Sequence, residues 1–154
     1  MAFCRWDRGA SGQMKKQDFI IGALIIILAI LCVVLWHQKE AERAKLESLC
    51  ESRADAALEE FTNYTETGEE FHYIRGVAEF RGFMTAYLFL HDNVGTPEYT
   101  FCSNLYGEMT LSPEKVQKKL HGIIEALEYL ATDYNDPYGF MQIHAHSTFN
   151  NIIR

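Results

Sequence analysis

An all-α protein, with a single N-terminal transmembrane helix followed by a small four-helix bundle-like domain, is predicted by three observations. Residues 19–36 read FIIGALIIILAILCVVLW and carry no charge. Beyond them, apolar residues recur at three- and four-residue spacing in several separate stretches, the signature of helices with one buried face. No β-rich run, internal repeat or low-complexity tract interrupts that pattern.

At about 1.5 Å per helical residue, residues 19–36 reach roughly 27 Å, close to the roughly 30 Å hydrocarbon core of a bilayer. In hydrocarbon an isolated span must pair its own N–H and C=O groups, so it must be helical. The flanks orient it. Arg5, Arg8, Lys15 and Lys16 precede the run, whereas Lys39, Arg43 and Lys45 follow it among Glu40, Glu42 and Glu47. Cations near a span favour the cytoplasmic side and acids count for little, which predicts a cytoplasmic tail (1–17), a signal anchor (18–36) and a periplasmic domain (37–154). The exit through Val34, Leu35, Trp36 and His37 offers none of the small residues that a cleavage site requires.

Of the 14 Lys and Arg and 21 Asp and Glu, four cations and two acids fall in residues 1–36, leaving ten cations against nineteen acids beyond. That surplus repels phosphate, so nucleic-acid binding is not expected. Residues 37–154 suffice for one core. The topology also sorts the cysteines: Cys4 faces the cytoplasm, Cys32 lies in lipid, and Cys50 and Cys102 share an oxidising compartment. A Cys50–Cys102 bridge would close a long loop and contribute on the order of 4 kcal/mol; two buried free thiols are the alternative.

Past Trp36, helix should continue through a stretch rich in Ala, Leu, Glu, Lys and Arg, burying Leu46, Cys50, Ala54, Ala57 or Leu58, and Phe61, and ending near Asn63. Glu47, Glu51, Asp55 and Glu59 recur every four residues on one face of it, either as a solvated surface or as steering charge for a partner. Thr67-Gly68-Glu69-Glu70 fits a capping box opening a central helix over residues 71–90. There Gly76 and Gly82 each cost about 1 kcal/mol relative to Ala, a cost accepted where another element must approach closely. Arg75 and Glu79 stand four apart, at salt-bridge spacing. Residues 91–111 show no clear periodicity and read as a long connection, on which Tyr99, Phe101 and Tyr106 are candidate partner-binding anchors or a cover for the core. Ser112-Pro113 starts the next helix, with Val116, Leu120, Ile123, Leu127 and Leu130 as its seam. Asp136-Pro137 starts the last, with Met141, Ala145, Phe149 and Ile152 as its stripe.

Chemistry is hard to find in this chain. His72, His91, His121, His144 and His146 are scattered, and His144 and His146, two apart on a helix, diverge by about 200° and cannot share a metal. No phosphate loop, CxxC or HExxH motif occurs, so no catalytic, cofactor-binding or metal residues are assigned. The expectation is a non-enzymatic protein-binding module of the cell envelope, with self-association left open.

The order Leu49-Cys50, Tyr73-Ile74-Arg75-Gly76-Val77, Cys102, then Met109-Thr110-Leu111 leading into a helix with Gln117, resembles the small helical periplasmic family that includes immunity proteins against type VI secretion amidases. The resemblance implies a disulfide-linked helical domain that binds a secreted cell-wall amidase and blocks its active site. A structural or assembly subunit of an envelope membrane complex is the other role considered, and an envelope enzyme using the histidines a third.

Overall fold

The protein was analysed as a computed structural model that describes residues 10–92 and 94–147, with side chains from residue 19 onward. Among the described residues the chain is entirely helical: α1 (Ala10–Thr67), α2 (Glu70–His91), α3 (Pro97–Leu111), α4 (Pro113–Gln117), α5 (Leu120–Thr132) and α6 (Pro137–His146). It divides into two compact units, Met1–Glu42 and Arg43–Arg154.

In the first unit, the apolar run is helical and turns its side chains outward: Ile25, Leu28 and Leu35 are each about three-fifths exposed. It is the one helix, among the described residues, long and apolar enough to cross a membrane.

The second unit is built around a core to which α1 contributes Cys50, Ala54, Ala57 and Phe61, all fully buried, at the 4, 3, 4 spacing that the sequence displays. From α2 come Tyr73, Phe80, Phe83, Met84 and Tyr87. The rings of Phe83, Tyr87 and Phe140 meet at centroid distances of 5.2–6.3 Å, so α2 and α6 share one aromatic cluster. The expected seam of Val116, Leu120, Ile123, Leu127 and Leu130 is buried throughout.

Gly76 is buried because α1 comes too close for a side chain: a Cβ there would lie 2.6 Å from the Phe61 ring. Gly122 does the same for α5 and α6, lying under the imidazole of His146, whose Nε2 would stand 2.0 Å from an added Cβ. All three prolines open helices, at the first-turn position where the missing N–H is not needed. Asp136 Oδ1 accepts from the N–H groups of Tyr138 and Gly139 at 2.8 and 2.9 Å, and Thr96 Oγ1 accepts from Tyr99 N–H at 3.3 Å.

Several expectations are corrected. The connection before Ser112 is mostly α3, whose Thr96-Pro97 start is the same signal as Ser112-Pro113 and whose buried Cys102, Leu105 and Met109 keep helical spacing. Weak helix formers such as Ser103, Asn104, Gly107 and Thr110 hide that periodicity. Thr67-Gly68-Glu69-Glu70 is a helix stop rather than a capping box. Gly68, at φ 72°, takes the left-handed position that a Cβ disfavours, and its N–H bonds Tyr64 O at 2.8 Å. α1 therefore runs to Thr67, beyond Asn63. The helix after Ser112 breaks at Lys118-Lys119 into α4 and α5. In α6 the buried face is Gly139, Phe140 and Ile143; Met141 and Ala145 are exposed, and Phe149 and Ile152 lie outside the described residues.

Candidate functional site

Cys50 and Cys102 are both buried, yet they are free thiols, not the expected bridge. Burial pushes both thiols well above their ordinary range, the Cys50 thiol up to about 12 with help from Glu51 and Glu47. They pack as small apolar side chains.

The aromatics expected to serve as anchors turn inward. Tyr99, Phe101 and Tyr106 sit on α3, partly buried against the core. Phe101 stacks on His144 with centroids 4.2 Å apart, and Tyr106 lies beneath the Arg81 guanidinium at 5.9 Å. Within the acidic series, Glu47 is already engaged, accepting from Arg43 Nε at 3.0 Å and from the Tyr134 hydroxyl at 3.1 Å. Glu51 is partly buried, and of the four only Asp55 and Glu59 are exposed.

The pairs made by Arg75 and Glu79 run across helices rather than along one. Arg75 does not meet Glu79. Its Nε bonds Glu60 Oε1 at 3.1 Å, while Glu79 takes Arg53 of α1. Glu60, 8 % exposed, also lies 2.7 Å from His72 Nδ1, so one nearly buried carboxylate joins α1 to two side chains of α2. The other histidines are separate from it. His91 stacks on Tyr87 with its Nδ1 3.1 Å from the Tyr87 carbonyl oxygen, and His121 is exposed. His144 Nδ1 is buried without a hydrogen-bond partner among the described residues. Among the described residues no three His, Cys, Asp or Glu side chains are placed to hold a metal.

Among the described residues a groove of about 450 Å3 opens to solvent between α1 and α2. Leu46 and Leu49 form its α1 wall, and the exposed Ala78, Gly82 and the buried Ala86, four residues apart, lie along α2. Phe89, 68 % exposed, stands at its rim. Arg53 crosses at Gly82, its Cδ 3.0 Å from where a Cβ would be, and its guanidinium is held by Glu79. The only charged groups lining the groove are Arg53 and Arg81, and Arg81 forms no ion pair among the described residues. Sequence reasoning marked Gly82 as a place of close approach, but not the small-residue repeat it belongs to, which is the available signal for this surface.

No family model, curated protein or solved structure matches the chain.

Proposed function

We propose that this protein is a single-span membrane protein, with its N-terminus cytoplasmic, whose outer domain is a non-enzymatic binding module for an envelope protein partner. The uncharged helical run of residues 19–36 supports the span, and the cation contrast across it supports the orientation. The binding role is carried by one observation: the solvent-open α1/α2 groove, where the exposed Leu49 and Phe89 line one concave surface, whereas Phe71, Ile74, Leu111 and Met141 are exposed outside it. A concave surface with apolar side chains at its edge is one form that a protein contact site takes.

Such a trough suits a subunit of an envelope assembly. The narrower immunity role, blocking a secreted cell-wall amidase, draws its support from the sequence resemblance, and its expected contacts Tyr99, Phe101 and Tyr106 are largely spent on the core. The test joins topology to contact. A reporter enzyme active only outside the cytoplasm, fused after Arg154, should be active. A photo-cross-linking amino acid replacing Phe89 in the full-length chain should capture one discrete envelope protein, and Ala78→Trp should abolish that adduct. Activity from a cytoplasm-only reporter, or a turnover lost in His144→Ala, would replace this reading.

A further inference from the structure

We draw no further inference here: the strongest candidate, the surface patch of exposed Leu111, Lys115, Lys118 and His121 where α3, α4 and the N-terminus of α5 meet, is a solvated apolar and basic corner, and nothing among the described residues shows what covers it.

Discussion

A single absent methyl group decides how closely α1 and α2 can pack. At Gly76 an added Cβ would sit 2.6 Å from two carbons of the Phe61 ring, and Phe61 is fully buried among core side chains that leave it nowhere to go. Gly76→Ala gains helix propensity of about 1 kcal/mol, but the overpacking it forces typically costs about 1–3 kcal/mol, so the clash should win. Thermal unfolding of the domain should therefore move to lower temperature. The same substitution in a Phe61→Leu background should cost measurably less, since the neighbour it collides with is gone. Gly82 differs, because the atom nearest its added Cβ is Arg53 Cδ, part of a flexible side chain.

At the scale of elements, α1 and α2 are registered by charge as well as by packing. Glu60 accepts from Arg75 and lies against His72, and Arg53 of α1 reaches Glu79 of α2. The two clusters are unequal. Arg53 is 44 % exposed in its side chain, which places its pair among surface ion pairs worth about 0–1 kcal/mol. Glu60 is only 11 % exposed in its side chain, so weakening its contacts leaves partners poorly satisfied beside a nearly buried group. Glu60→Gln should destabilise the domain by about 1–3 kcal/mol in urea unfolding, while Glu79→Gln should have a much smaller effect. Equal effects would mean that burial does not distinguish the two clusters.

For the whole molecule, buried proton-bearing groups set a limit at alkaline pH. Burial first, then Glu51 and Glu47, push the Cys50 thiol from 9.0 up to about 12, and burial, then Glu70 and Tyr64, push the Tyr73 hydroxyl from 10.0 up to about 12. Cys102 and Tyr87 move in the same direction. In each case the folded state keeps a proton that the unfolded chain releases. The associated stability is therefore complete below about pH 9 and is lost as pH rises from there towards about 12. Urea midpoints should be flat near neutrality and fall steadily over that interval, and Cys50→Ala should make the early part of the fall shallower. A midpoint that holds to about pH 12 would show that these groups are open to water in the folded protein.

The sequence by itself determined what depends on near neighbours in the chain. It specified the uncharged helical run, the all-α class, the stripe of Cys50, Ala54, Ala57 and Phe61, the central helix and the proline-led starts at Pro113 and Pro137, because periodicity and capping act within a few residues. Even α3 was written locally in Thr96-Pro97, under a run of weak helix formers. Only the tertiary structure decided what depends on which helices lie side by side. Arg75 turned to Glu60 rather than to Glu79 because α1 brought a less exposed carboxylate within reach. Tyr99, Phe101 and Tyr106 turned inward because α3 packs against α2 and α6. Cys50 and Cys102 were buried together in one core without being brought into a bond, and the groove arose where Leu46 and Leu49 lie beside Ala78, Gly82 and Ala86, about thirty residues on, after the chain reverses at Gly68. Spacing along a helix fixes which residues share a face, but the partner of that face is set by the packing of the whole unit.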